Sequence, residues 1–279
     1  MLPRVALCSM INNGLWRNTL ARFIRQVEAL DYPAEQLRVY LVEGDSADET
    51  WLQVQGWARR NQRVRVAKVD LGHPVKGSTE DVDRLLDGSK VGSACREMAL
   101  REGWAEWLLW IESDLLWEAQ LLQRLLAVRA EVVAPWVLTV PSKPGVIDVA
   151  ELEHTPLAER VFYDTWAFRH CANQRRFTAQ EPRPAQPFAV HSAGSCLLMH
   201  ADVARRANQP SERAIVGWCE QAHAQGSEST RQGSESTRQG VEVWCDPRIT
   251  VWHRMAAPQD WQPGMPSPQS AHTLRAALL

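Results

Sequence analysis

The sequence predicts an α/β fold with a central, mostly parallel sheet that is flanked by helices. Strand-like and helix-like segments alternate up to Val69 in the order β-α-β-α-β, which is typical of parallel strands joined by right-handed crossovers. The apolar run Trp107–Ile111 leads directly into Glu112, Ser113 and Asp114, as expected of a buried strand that leaves the core. With 279 residues, 45% of them hydrophobic, the chain has ample material for such a core.

The first half of the chain supplies the alternating unit. Short apolar runs that end in polar turns predict strands over residues 5–11, 37–42 and 64–69. Apolar residues at helical spacing predict helices over residues 16–30 and 48–60. The opposite, polar face of the first helix is predicted to consist of Arg17, Arg22, Arg25 and Glu28.

A segment without periodicity precedes the strand Trp107–Ile111. Residues 70–92 mix Gly, Ser, Asp and Lys, and so long an irregular stretch in a compact domain predicts a mobile functional loop. A helix is predicted over residues 93–100, with Ser93 as its cap and Gly103 as its stop.

The second half is less regular. Apolar runs predict strands over residues 131–138, 189–200, 241–244 and 249–252, and Pro135 favours an edge position or a bulge for the first of them. Helices are predicted over residues 119–130, 201–207 and 215–225. Residues 226–239 are a perfect tandem copy of GSESTRQ, a composition that cannot bury a core and predicts a flexible insertion without a catalytic role.

Composition narrows the class of protein. A net charge of −2 gives no support to a broad nucleic-acid-binding surface. The six cysteines form no C-x-x-C pair, which favours buried, reduced thiols over disulfides or a zinc site. Neither a signal peptide nor a membrane span is visible. These features predict a cytoplasmic protein.

In this order, the motifs resemble those of a glycosyltransferase of the GT-A fold, close to the large family 2 type and to the related fungal mannosyltransferase groups. The resemblance spans about residues 4–254 and rests on six motifs: SMINNG, VEGDSADET, GSACREMAL, ESD in place of DxD, SAGSCLLMHADV and DPRITVWH. It implies one GT-A (Rossmann-like) catalytic domain over residues 1–256, with a nucleotide-sugar-binding half (1–117) and an acceptor half (118–256). A Pro-rich tail, residues 257–279, follows.

The resemblance implies a divalent metal at the ESD motif. Asp114 would bind the metal directly, Glu112 would contact the ribose, a metal-bound water or the metal itself, and His253 would supply a further ligand. A nucleotide-sugar donor needs such an ion, because negative charge grows on its diphosphate as the glycosidic bond breaks. The imidazole favours Mn²⁺ over Mg²⁺. The alternative is that the ESD turn only caps the next helix and that His253 is an ordinary structural histidine.

Further site residues follow from the same resemblance. Glu43 and Asp45 would border the base and ribose, Ser113 would line the donor site, and Arg96 would reach the base or diphosphate. An acidic turn at a helix start explains Glu43 and Asp45 equally, and an exposed helix position explains Arg96.

An inverting transfer needs a base that deprotonates the acceptor hydroxyl. Glu220 is the candidate, with Asp164 as its rival, although a solvent-facing helix residue explains Glu220 equally. An aromatic platform for the acceptor could be formed by Tyr163, Trp166 and Trp218, and the alternative for these side chains is the core.

The acceptor stays open among a cytosolic small molecule, a glycan precursor, a protein and a hydroxylated base in phage-type DNA. A modest basic cluster consists of Arg169, Arg175, Arg176 and Arg183. Two other functions remain alternatives. A nucleotidyltransferase needs a Gly-rich phosphate loop with Lys or Arg, which SMINNGLWRN fits poorly, and a nucleotide-sugar-binding module would lack the base.

Overall fold

The computed structural model describes residues 2–15, 19–72, 82–140, 161–162, 170–172, 177, 181–191, 193–206, 215–216, 219–220 and 241–254. The strands are β1 (Val5–Ile11), β2 (Leu37–Gly44), β3 (Val64–Val69), β4 (Trp107–Ile111), β5 (Leu115–Leu116), β6 (Val132–Val140), β7 (Val161–Phe162), β8 (Phe188–Val190), β9 (Cys196–His200), β10 (Ile215–Val216), β11 (Cys219–Glu220) and β12 (Val243–Arg254). The helices are α1 (Leu20–Glu28), α2 (Thr50–Arg60), α3 (Val82–Arg101), α4 (Leu121–Ala127) and α5 (Ala201–Arg206), and one 3-10 turn spans Ala34–Gln36.

The main sheet is mixed, with a parallel half and a largely antiparallel half. Its order is β3-β2-β1-β4-β9-β6-β12-β5, while β7 pairs with β6 and β8 pairs with β12. β1 runs parallel to β2 and β4, and β2 runs parallel to β3. β9 is antiparallel to both of its neighbours, and β6 is parallel to β12. The predicted fold class and the β-α-β-α-β unit are therefore confirmed.

Both faces of the sheet are covered by helices. On one face α3 and α5 pack over a cluster that includes Tyr40, Trp110, Trp136 and Trp252. On the other face α1, α2 and α4 pack over a cluster that includes Leu7, Phe23, Leu41, Leu109 and Leu125. Each fully buried side chain of this size stabilises the fold by about 1.5–3 kcal/mol. Burial on both faces explains why the central strands are continuous apolar runs in the sequence.

Helix α3 begins eleven residues earlier than predicted, at Val82 instead of Ser93. The prediction of an irregular segment was therefore wrong for residues 82–92. Among the described side chains of α3, the buried apolar ones are Val91, Cys95 and Ala99, which follow i, i+4 spacing. Gly92 explains the misleading composition, because a Cβ there would lie only 3.1 Å from the Trp110 ring. Small residues in α3 allow close packing on the sheet; they do not mark a loop.

Two other predictions were wrong, one for an element and one for the exposure of a side chain. The described residues between 215 and 220 form two antiparallel strands, in which Ile215 pairs with Glu220 and Val216 with Cys219, instead of a helix. Their β-branched and apolar side chains favour extended backbone. Arg22 was placed on the solvent face of α1, yet it is 9% exposed.

The last strand differs from the prediction in a way that affects the site. Residues 241–244 and 249–252 were predicted as separate strands, but β12 runs through both and pairs with β6 on either side of an irregularity. The register shifts between Asp246 and Thr250, which pair with Pro135 and Trp136. Pro135 lies in an interior strand, so the predicted edge position is wrong; the extra residues at the irregularity belong to β12, opposite Pro135.

Cysteine burial agrees with the prediction at four described positions. Cys8, Cys95, Cys196 and Cys245 are buried free thiols, whereas Cys171 is exposed. Within the ranges that the structure describes, no helix combines the length and apolar character needed to cross a membrane.

Candidate active site

The carboxyl ends of three parallel strands define the candidate site. β1 ends at Ile11, β2 at Gly44 and β4 at Ile111, and the register places Ile11 beside Glu43 and Cys8 beside Trp110. The polar residues that follow these strands therefore meet at one edge of the sheet, which is where ligands bind in open α/β sheets.

Asp114 and His253 form the centre of this edge. Oδ2 of Asp114 lies 3.3 Å from Nε2 of His253, although 139 residues separate the two in the sequence. The contact arises because β5 pairs antiparallel with the end of β12, with Leu115 opposite His253. Their side chains are 35% and 16% exposed, so the pair is sheltered but accessible. Of the predicted metal ligands, these two are brought together.

The donor set suits a divalent ion that shares its shell with a ligand. Within the described part of the chain, no three His, Cys, Asp or Glu side chains cluster closely enough to hold a metal ion. Asp114 and His253 would therefore supply two positions, and Mn²⁺ would leave the remainder for phosphate oxygens and water. Glu112 is not part of a three-ligand group; its backbone N–H donates to the carbonyl of Ser195 at 3.0 Å and ties the turn to β9.

Glu43 and Asn12 place two buried acceptors at the ends of β2 and β1. Glu43 is 0% exposed, and its Oε1 accepts a hydrogen bond from the backbone N–H of Ser46. Asn12 donates through Nδ2 to the carbonyl of Gly44 at 2.5 Å. No donor among the described residues reaches Oε2 of Glu43 or Oδ1 of Asn12. Buried acceptors are costly when unsatisfied, so this arrangement favours a ligand that brings donors.

The carboxylate of Asp45 makes its contacts within the protein. Its Oδ2 accepts hydrogen bonds from the backbone N–H groups of Leu71 at 2.6 Å and Gly72 at 3.2 Å, and Oδ1 lies 3.5 Å from Nζ of Lys68. Burial raises the pKa of this carboxyl, but these donors outweigh burial, and the net pKa is lowered. Asp45 also adopts a φ of +48°, which Asp tolerates better than most residues. It fastens the segment after β3 to the end of β2.

The loop after β1 is locked to the loop after β2. Asn13, at a φ of +49°, accepts a hydrogen bond from the N–H of Ala47 and donates its own N–H to Oγ of Ser46, both at 2.8 Å. Oδ2 of Asp48 accepts from the N–H of Leu15 at 3.1 Å. In the sequence, Asn12 and Asn13 are part of the SMINNG motif, which predicts a polar turn that can also cap a helix, and no site role was predicted for them. Their place directly after a buried strand was the signal for a site role.

Arg96 and Ser113 have less defined surroundings. Arg96 lies on α3 and is half-buried. The pKa of the Cys8 thiol is held well above its ordinary value by a hydrogen bond with Cys95 and by burial, and the positive charge of Arg96 acts in the opposite direction. Ser113 is half-buried in the turn between β4 and β5.

The predicted acceptor side is only partly described. Asp164, Tyr163, Trp166 and Trp218 lie outside the described residues. Glu220 lies in β11, and β10, its partner strand, contacts α3.

The comparisons with known proteins concern the fold. No family model and no curated protein matches the sequence. The structure is similar to that of GalNAc-T7 with UDP, GalNAc and Mn²⁺, with a TM-score of 0.56 at 13% identity over 99% of this chain and 48% of that chain. It is similar to S. aureus TarS 1-349, with a TM-score of 0.51 at 12% identity over 92% of this chain and 61% of that chain. The chain has a GT-A fold.

The GT-A fold is the fold that the resemblance implied. The complex of the same TarS fragment with UDP gives a TM-score of 0.51 at 11% identity over 92% of this chain and 62% of that chain. The chain spans about three fifths of the TarS fragment and about half of GalNAc-T7. The ESD motif of this chain, which carries Asp114, lies in the turn between β4 and β5.

Proposed function

We propose that the chain is a metal-dependent glycosyltransferase that moves a sugar from a UDP- or GDP-sugar to a hydroxyl acceptor. The observation that carries the proposal is the contact of Asp114 with His253 at the carboxyl edge of a GT-A sheet. GalNAc-T7 was solved with UDP, GalNAc and Mn²⁺, and TarS with UDP, which supports a nucleotide-sugar donor.

Asp114 and His253 would hold Mn²⁺ or Mg²⁺. When bound, the ion neutralises the charge that develops on the diphosphate leaving group. The pair is sheltered from part of the solvent, so the attraction between the Asp114 carboxylate and a bound cation would be stronger than in bulk water. The two chemical types, one carboxylate and one imidazole, favour Mn²⁺.

Glu43 and Asn12 would bind the nucleoside. Their buried acceptors, Oε2 and Oδ1, need donors, and the N–H groups of a base and the hydroxyls of a ribose are donors. The neighbouring loops are held by mutual hydrogen bonds, so the acceptors are fixed before a ligand arrives.

Transfer with inversion would need a carboxylate that accepts the proton of the acceptor hydroxyl. Glu220 and Asp164 are the two candidates for this base, and Tyr163, Trp166 and Trp218 are candidates for contacts with the acceptor. Substituting each acid separately by its amide should identify the base, because the true base should reduce turnover while donor binding is retained.

Isothermal titration of UDP and GDP, each with and without Mn²⁺, tests the donor site. Asp114→Ala removes one of the two proposed protein ligands of the metal. Loss of a residue that only orients a ligand costs about 10–100-fold in metal affinity, and this substitution should weaken Mn²⁺-dependent nucleotide binding by more than that. Asp31→Ala, an exposed acid outside the site, is the matched control and should bind as the wild type does. Failure of the wild type to bind either nucleotide, or unchanged binding in Asp114→Ala, would refute the proposal.

A mass-spectrometric screen of donor sugars, followed by acceptor profiling, tests catalysis. Donor hydrolysis or transfer by the purified protein would exclude a non-catalytic binding module. A DNA acceptor requires salt-dependent DNA binding in a gel-shift assay.

A further inference from the structure

A polar side chain of α1 contacts the strand that follows the ESD turn. Nε2 of Gln26 donates to the carbonyl of Leu115 at 3.0 Å, and Oε1 of Gln26 accepts from the backbone N–H of Trp117 at 3.0 Å. One side-chain amide therefore makes two hydrogen bonds of opposite sense to backbone groups on either side of Leu116. A neighbouring β-strand would make the same pair of bonds.

The position of β5 explains why such a contact matters. β5 contains only two residues and lies at the end of the strand order, where it pairs with β12 through Leu115 and Leu116. Two cross-strand pairs contribute little free energy to fix the register of β5 on β12. The other edge of β5 is open, so its backbone groups on that side have no strand partner. Gln26 supplies hydrogen bonds to this strand in addition to those of β12.

A second residue of α1 extends the contact to the metal-binding turn. Arg22 precedes Gln26 by four residues, so both side chains lie on the same face of the helix. Nη2 of Arg22 donates to the backbone carbonyl of Asp114 at 3.2 Å. Asp114, Leu115 and Trp117 are thus held by α1, while β12 brings His253 opposite Leu115.

We propose that Gln26 is a positioning residue for the Asp114–His253 pair. By fixing the backbone of β5 it keeps the Asp114 carboxylate at 3.3 Å from the His253 imidazole, so that the two ligands are already arranged when the metal binds. The proposal rests on the proposed metal-dependent function. Around Gln26, α1 packs into the core through Phe23 and Val27, and an apolar residue at position 26 would satisfy packing alone.

Two substitutions separate hydrogen bonding from volume. Gln26→Met keeps a long side chain and removes both hydrogen bonds. Gln26→Glu keeps the shape and the acceptor for the Trp117 N–H, but it places a second acceptor against the Leu115 carbonyl. Arg25→Met is the matched control, because Arg25 is exposed on the same helix.

Hydrogen–deuterium exchange of the metal-free protein is the first measurement. Gln26→Met removes the acceptor of the Trp117 N–H and should exchange this amide at least about tenfold faster than the wild type, while Arg25→Met leaves it unchanged. The second measurement titrates Mn²⁺ into protein saturated with UDP or GDP. The Gln26 variants should lose about 10–100-fold in Mn²⁺ affinity, as expected for a residue that orients a ligand without touching the ion.

The outcomes separate the two proposals. Unchanged exchange in Gln26→Met would overturn the positioning contact. Faster exchange with full Mn²⁺ affinity would overturn the positioning role alone and leave the proposed function intact. A wild type that binds no Mn²⁺ with either nucleotide would overturn the proposed function together with the role of Gln26.

Discussion

Gly44 allows a sharp test of how α3 packs over the candidate site. A Cβ added at Gly44 would lie 2.9 Å from Cγ2 of Val91, closer than real Cβ contacts. Val91 is 5% exposed on α3, and a β-branched side chain has essentially one χ1 rotamer in a helix, so it cannot turn away. The helix itself must move. We expect Gly44→Ala to cost about 1–3 kcal/mol, the usual range for overpacking.

This cost converts into a measurable change in thermal stability. An unfolding entropy of about 2.1 cal/mol/K per residue gives about 0.6 kcal/mol/K for this chain, so the Tm should fall by about 2–5 °C. Gly88→Ala is the matched control, because nothing lies within 4 Å of a Cβ there and the position is inside α3. Alanine favours the helix by about 0.5–1 kcal/mol, and the Tm should rise by about 1–2 °C. Circular dichroism melts measure both variants. A Tm of Gly44→Ala equal to or above that of the wild type would refute the packing argument.

Two further predictions concern titration and reactivity. The pKa of Asp45 is lowered because the Leu71 and Gly72 amides and the Lys68 ammonium outweigh the effect of burial. The Asp45 carboxylate therefore stabilises the fold at pH values above the unfolded-state pKa of about 3.9. This stabilisation is lost as the pH falls through the lower pKa of the folded state. Asp45→Asn should therefore reduce the Tm at pH 7, with a smaller difference from the wild type near pH 3; equal differences at the two pH values would contradict this. Iodoacetamide should alkylate exposed Cys171 in the native protein and spare the four buried cysteines until unfolding. Burial, and then the negative charge of Glu242, raise the pKa of Cys171, so the alkylation rate of this thiol should keep rising above pH 9. Peptide mass spectrometry measures this rate. Alkylation of a buried cysteine at the same rate as Cys171 would count against the structure.

The parallel half of the fold could be predicted because burial on both faces produces unmistakable apolar runs. The first half of helix α3, residues 82–92, escaped prediction for a related reason. Its close packing on Trp110 requires Gly92, and the surrounding small and polar residues resemble a loop when they are considered without the sheet. The amino-acid composition of a segment therefore predicts whether it is exposed only when the surface against which it packs is known.

Part of the site was also predictable. Glu112 and Asp114 had to emerge at a strand end, because an apolar run leads directly into them. The contact of Asp114 with His253 came only from the family resemblance, since no periodic pattern reports a pairing across 139 residues. Gln26 was missed because a polar residue on an amphipathic helix is usually solvated, and nothing in the sequence places β5 beside it.

The long separation of Asp114 and His253 has a consequence for how the chain tolerates insertions. The entropy lost on closing a loop grows only with the logarithm of its length, as about (3/2)RT ln n. Residues 226–239, the two GSESTRQ copies, lie inside the 139-residue loop that the pair closes. Shortening that loop by both copies changes its closure free energy by only about 0.1 kcal/mol. The two side chains are thus brought together by pairing of β5 with β12, almost independently of the length of chain between them.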